Sequence, residues 1–153
     1  MGSGPIRAVI GVSSRASVDG QETFYVKRSD HMENYPGVWS LPSIQYEPAE
    51  LPDPFDLDAA SRIFARMSVE RFGGASIRVE ERLIAGNSDE NPMQRMVELV
   101  LYRISIADTM SLNPRYYTDC EWLKRPDFKI RTMLTPLPCG LCTRLWEAHE
   151  DSM

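Results

Sequence analysis

Pro36-Gly37-Val38-Trp39-Ser40-Leu41-Pro42-Ser43-Ile44, then Glu50, then Arg66-Met67-Ser68-Val69-Glu70-Arg71-Phe72-Gly73-Gly74 is the run of landmarks that decides the fold. Thr23–Lys27 leads into it as a β-branched and aromatic run that reads as a strand closing on Lys27-Arg28. Between its two halves, Ala60, Ile63, Phe64 and Met67 recur at helical spacing and form one apolar stripe. Leu51-Pro52-Asp53-Pro54-Phe55-Asp56 is too rich in proline to be helical throughout, whereas Asp56 or Asp58 can cap a helix beginning beside it. Gly73-Gly74 supplies a left-handed stop, so the helix is predicted to run from that cap to Phe72.

On the N-terminal side, Ile6–Val12 reads as a strand forming a hairpin-like pair with 23–27 across the polar turn Ser17–Gln21. On the C-terminal side, Ile77–Ile84 and Met96–Ile106 read as strands around the turn-forming loop Asn87–Pro92. A third late strand is expected around Cys120-Glu121-Trp122-Leu123. Pro136-Leu137-Pro138 then marks the entrance to a last helix with Leu141, Leu145, Trp146 and Ala148 on its apolar side.

No repeat, low-complexity tract or linker divides the 153 residues, and 42% hydrophobic with 25% charged residues suits one domain with a true core. One domain over 1–153 is predicted, with residues 1–5 disordered or a cloning remnant. The net charge of −5 is dispersed and leaves no basic stripe to neutralise a nucleic-acid backbone, so generic nucleic-acid binding is not expected. No apolar run approaches the roughly 20 residues that span a bilayer, and Met1-Gly2-Ser3-Gly4 lacks the features of a secretory signal. With three cysteines, which cannot all pair within the chain, the reading is a cytoplasmic protein in a reducing compartment.

The order of strand end, proline-glycine-tryptophan turn, glutamate and capped helix resembles the Nudix hydrolases, with their "pG.W.lPGG" turn and the box GX5EX7REUXEEXGU. The resemblance implies an α/β fold, the Nudix-type α/β/α sandwich with a mixed, mostly antiparallel central sheet. It covers nearly the whole chain in layout and residues 25–74 in motif. The two glycines of the turn correspond to Ser43 and Ile44, and counting from Ile44 puts the first glutamate of the box at Glu50. Fifteen residues, 51–65, then separate Glu50 from Arg66 where the box has seven, the extra length falling in Leu51–Asp58. Such a lengthened loop costs little. Arg66, Glu70 and Gly73 match the helical part, while Met67 and Arg71 stand where it carries glutamates.

By resemblance, the box holds a divalent metal, Mg²⁺ or Mn²⁺, against a diphosphate. Magnesium wants an octahedron of oxygens, and one helix glutamate is a poor site. The expected metal set is Glu70 with Glu50 and Glu98, the last being a carboxylate inside the apolar run Met96–Leu101 that would be costly unless paired or coordinated. Strict alternation puts Glu98 on one face with Met96, Val100 and Tyr102. Glu70 and Glu98 are the candidate catalytic residues, with Arg66, Arg71 and Ser43 as substrate contacts. The alternatives are that Glu70 serves only as an i, i+4 partner of Arg66, that Glu50 is solvated surface, and that Arg71 turns a metal site into an anion site.

Two functions follow from the resemblance. One is a Nudix-like pyrophosphohydrolase of nucleoside-diphosphate-linked compounds with an altered metal site. The other is a catalytically inactive Nudix-fold module that binds a nucleotide or a protein partner, and a homodimer is compatible with either. Trp39, Trp122, Tyr25, Tyr46 and Tyr102 read as core or cleft-wall residues. Cys139 and Cys142 with Cys120 and His149 make an incomplete zinc pattern, since 142 to 149 is wider than a finger spacing, and buried inert thiols account for them as well. His31 reads as a loop residue.

Overall fold

The computed structural model describes residues 5–18, 20–32, 36–88, 96–107, 110–128, 146 and 148–150. Eight strands flank one long helix: β1 (Ile6–Val12), β2 (Ser14–Ser17), β3 (Gly20–Arg28), β4 (Trp39–Ser40), β5 (Ser43–Gln45), α1 (Leu57–Arg71), β6 (Ile77–Ser88), β7 (Val97–Ile106) and β8 (Tyr117–Leu123). A 3-10 turn at Pro48–Glu50 precedes α1. Of the expected last helix, Trp146 and 148–150 are helical, and the rest of it, with Cys139, Cys142 and residues 1–4, lies outside the described residues.

The strands form a mixed sheet in the order β5-β1-β7-β6 and a second, antiparallel sheet in which β3 carries β2 and β4 on one edge and β8 on the other. The predicted hairpin of Ile6–Val12 with 23–27 is therefore corrected. Strand β1 runs parallel to β7 and antiparallel to β5, and the hairpin partner of β3 is β2, with Ser17 opposite Gly20. The predicted turn Ser17–Gln21 is largely strand, Ser17 ending β2 and Gly20 and Gln21 beginning β3, and Ser14–Ser17 take the pairing expected of Ile6–Val12. Strand β6 also continues through Asn87 and Ser88, which pair with Glu98 and Val97 instead of opening a loop. Two register shifts along β6 and its exposed Arg78, Glu80 and Glu81 blunt an edge that would otherwise invite further strands.

Helix α1 forms where the periodicity places it. Asp56 is the cap, its carboxylate accepting from the amides of Asp58 and Ala59. At the other end the Gly74 amide closes back on the Ser68 carbonyl at 3.0 Å, and Gly73 takes the left-handed φ of 64° that this closure requires. Ala60, Ile63, Phe64 and Met67 are all buried, and they meet Val9, Val100, Tyr102 and Ile104 of the mixed sheet and Phe24 and Val26 of the other. Gly11 makes this close approach possible, since a Cβ there would lie 2.5 Å from Ile104 Cδ1 and 3.1 Å from Phe64 Cε1. The opposite face of β1 and β7 packs Ile6, Ile10, Val12, Leu99 and Leu101 against Tyr25, Trp39, Phe128 and Trp146. Both faces of the mixed sheet are thus covered. Trp39, Tyr25 and Tyr102 are core residues, as expected.

Tyr102 joins core and loop. Its ring packs edge-on against Phe64 at 5.9 Å, and its hydroxyl donates to the Pro54 carbonyl. Burial, assisted by Tyr46, pushes the phenol up to about 12 from 10.0. Between those values the unfolded chain gives up the proton and the folded one keeps it. This component of stability is complete below pH 10 and is lost as pH rises through about 12. Tyr102→Phe is expected to lack that alkaline component, as measured by urea midpoints at pH 9, 10 and 11. An identical pH dependence in the variant would remove Tyr102 as its source.

Candidate functional site

The box residues gather where the end of β5, the 3-10 turn and the outer side of α1 meet. Glu50 first closes its own turn, accepting the Glu47 amide at 2.8 Å. Arg66, about one and a half turns before the end of α1, then reaches across to it. Its Nη2 donates to Glu50 Oε2 at 3.1 Å and to the Gln45 carbonyl at 2.9 Å, while its Nη1 lies 3.6 Å from Glu70 Oε2. The expected i, i+4 pair of Arg66 and Glu70 is present, and Glu50 is a structural partner of the same guanidinium. These partly exposed pairs are each worth about 0.5 kcal/mol, although the bond to the Gln45 carbonyl also ties helix to sheet.

Arg71 is bound differently. Its Nη1 donates to the Ser43 carbonyl and, at 2.9 Å, to the Tyr117 hydroxyl, and its guanidinium lies 4.5 Å from the Tyr116 ring centroid and 5.4 Å from that of Tyr117. Its Nε is buried without a hydrogen bond. Ser43 therefore enters the site through its backbone carbonyl. Nothing in the spacing of the sequence announces Tyr116 and Tyr117, which lie on the loop and strand after β7. That loop is docked by Asn113, whose side chain donates to the Glu70 carbonyl and whose amide donates to that of Arg71.

The third expected carboxylate stands apart. Glu98 does share a face with Val100 and Tyr102, and that face turns toward α1, but Glu98 pairs with Arg7, its neighbour across the parallel strands, at 3.1 Å. Tyr46 adjoins them, its phenol raised by burial, with Arg7 lowering it and Glu98 raising it further. Glu50 and Glu70 thus converge on Arg66, and Glu98 on Arg7. Among the described residues no three histidine, cysteine or carboxylate side chains come together as a metal site.

The chemistry of these donors fits a divalent ion poorly. Glu70 is the one carboxylate on this side of the helix's last turn, a guanidinium lies beside it, and the next residue is a second cation. Met67 is buried in the core. Glu70 Oε2 is nonetheless inaccessible and lacks a hydrogen bond. Of the zinc candidates among the described residues, Cys120 sits on β8 opposite Val26 with its thiol raised by burial, and His149 stacks on Trp146 at 5.6 Å.

No protein-family model matches this sequence, and no curated protein matches it. Solved structures do. The NUDIX domain of Shewanella oneidensis NrtR, complexed with ADP ribose, superposes with a TM-score of 0.67 at 16% identity, over 97% of this chain and 89% of that one. A MutT protein from Methanosarcina mazei Go1 gives 0.66 at 15% identity, over 99% and 97%. A NUDIX hydrolase from Nitrosomonas europaea gives 0.65 at 14%, over 97% and 90%. The chain has the Nudix fold across nearly its whole length, as the order of landmarks from Lys27 to Gly73 implied.

Proposed function

We propose that this chain is a Nudix-fold module that binds a nucleoside-diphosphate type of ligand through Arg71, without a metal and without hydrolysing it. One observation carries the reading: Arg71 is a cation whose identified partners are all neutral. The Ser43 carbonyl, the Tyr117 hydroxyl and two tyrosine rings hold it in place and leave its charge uncancelled. Arg66, by contrast, faces two carboxylates. A phosphate approaching the box is drawn to the first and not to the second. Arginine suits that role because its planar fork matches the oxygens of a phosphate. The complex of a similarly folded domain with ADP ribose supports the ligand class by analogy of fold alone.

The chain's own residues would then act by position. The Ser43 carbonyl and the two tyrosines hold the Arg71 guanidinium in place, so little side-chain freedom is lost on binding. Arg66 keeps Glu50 and Glu70 turned toward itself and away from the incoming anion. Hydrolysis is the second reading, and its support is Glu70 Oε2, which is buried without a hydrogen bond and has only the long ion pair to Arg66 at 3.6 Å, leaving an oxygen that a closer cation would satisfy.

Isothermal titration with ADP-ribose in EDTA, and again in Mg²⁺ or Mn²⁺, separates the two when chromatography for cleavage products follows. The expected result is binding of similar strength in all three buffers, with the ligand recovered whole. Metal-dependent cleavage that disappears in Glu70→Gln would overturn the proposal in favour of a hydrolase.

A further inference from the structure

Leu51–Asp58 is the length by which this chain exceeds the Nudix box, and it is firmly built. Leu51 is buried, the Asp53 carboxylate accepts the Phe55 amide at 3.0 Å, Tyr102 bonds the Pro54 carbonyl, and Asp56 caps α1. Pinned at each of these points, the segment turns Phe55 outward, 68% exposed. One face of that ring is covered by the Arg82 guanidinium, 4.5 Å from the ring centroid. Arg82 sits opposite Tyr102 across β6 and β7, its side chain makes no hydrogen bond or ion pair with the described residues, and its Nε is buried. Asp53 and Asp56, whose charges reach Tyr102, each turn Oδ1 to backbone amides, and neither forms an ion pair with Arg82.

An exposed aromatic ring on a braced loop, with an unspent guanidinium against it, is an arrangement that recognises flat rings bearing oxyanions. We propose that Phe55 and Arg82 form a second binding site for a ligand of the nucleoside monophosphate class. Its base stacks on the open face of Phe55, and its phosphate meets the Nη edge of Arg82. Every base offers a π-face, which makes such stacking tolerant of base identity. The stacking of Arg82 on Phe55 orients the guanidinium in advance, so the phosphate finds its donors already placed. The site lies at the start of α1 and Arg71 at its last residue, and a 15-residue helix separates them by roughly 20 Å. The two sites are therefore independent.

The test is a titration of the ¹⁵N-labelled protein with AMP and, separately, with inorganic phosphate. AMP is expected to shift the amide signals of Phe55, Asp56, Arg82 and Leu83, and phosphate those around Arg82 more weakly. Phe55→Ala and Phe55→Leu, at an exposed position, are expected to weaken AMP about tenfold and leave phosphate unchanged. Arg82→Gln is expected to abolish both responses. Unchanged AMP affinity in these variants, or an absence of shifts at residues 55 and 82, would overturn the second site. AMP binding lost only in Arg71→Ala would overturn it as well, while leaving the reading of the box intact.

Discussion

Phe64→Ala is expected to cost the fold about 3–5 kcal/mol, the range for truncating a fully buried aromatic side chain. Phe64 has no exposed surface, packs edge-on against Tyr102, and lies so close over Gly11 that a Cβ there would come within 3.1 Å of its ring. The cavity has little chance to collapse, because the glycine below cannot fill it and α1 is held at both ends. Set against the 5–15 kcal/mol that stabilises ordinary domains, such a loss is a large fraction of the total. The melting temperature should fall by roughly 10–15 °C for a chain of this size. A fall of only two or three degrees would mean that α1 is not seated on the mixed sheet as described. The Tyr102 hydroxyl would lose its ring support at the same time, so the Pro54 loop should exchange its amides faster in this variant than in the parent.

Arg71→Ala is the second large effect, and it acts on stability and binding together. Removing the guanidinium leaves the Ser43 carbonyl and the Tyr117 hydroxyl without it, and bonds to charged donors are worth about 1.5–3 kcal/mol each. The two retain a weak contact with each other at 3.3 Å, which offsets part of the loss. A net cost of about 2–4 kcal/mol is expected. ADP-ribose binding should disappear in the folded variant at low temperature. Arg71→Lys divides the two roles, because lysine keeps the charge but lacks the fork and the flat face that stacks on tyrosine. It should recover part of the affinity and little of the stability. If Arg71→Ala melted with the parent and still bound ADP-ribose, both the structural and the functional role of this residue would fall.

The elements that could be read from sequence are those whose causes lie close together along the chain. Helix α1 is legible because its apolar stripe, its Asp56 cap and its Gly73 stop are all set by neighbours within a few residues. The Arg66–Glu70 pair is legible for the same reason, being one helical turn. Strands β6 and β7 are legible as strands, but the extension of β6 through Ser88 is not, since Asn87 and Ser88 have turn chemistry and are held by pairing with β7. The expected hairpin of Ile6–Val12 with 23–27 failed because strand pairing is decided by which partner buries more apolar surface. Strand β1, apolar on both faces, has that partner in β7, just over ninety residues on.

The candidate site divides along the same line. That Met67 and Arg71 stand where the resemblance implies glutamates is read from the sequence alone, and with it the small number of carboxylates on the helix, because a helix displays consecutive residues at known angles. What those two residues touch is decided by tertiary structure. Tyr117 reaches Arg71 from 46 residues away, Arg7 takes Glu98 across a parallel register, and Arg82 comes to Phe55 through the pairing of β6 with β7. Such contacts depend on how sheets and loops close in space, and a side chain's charge has no stated partner until they do.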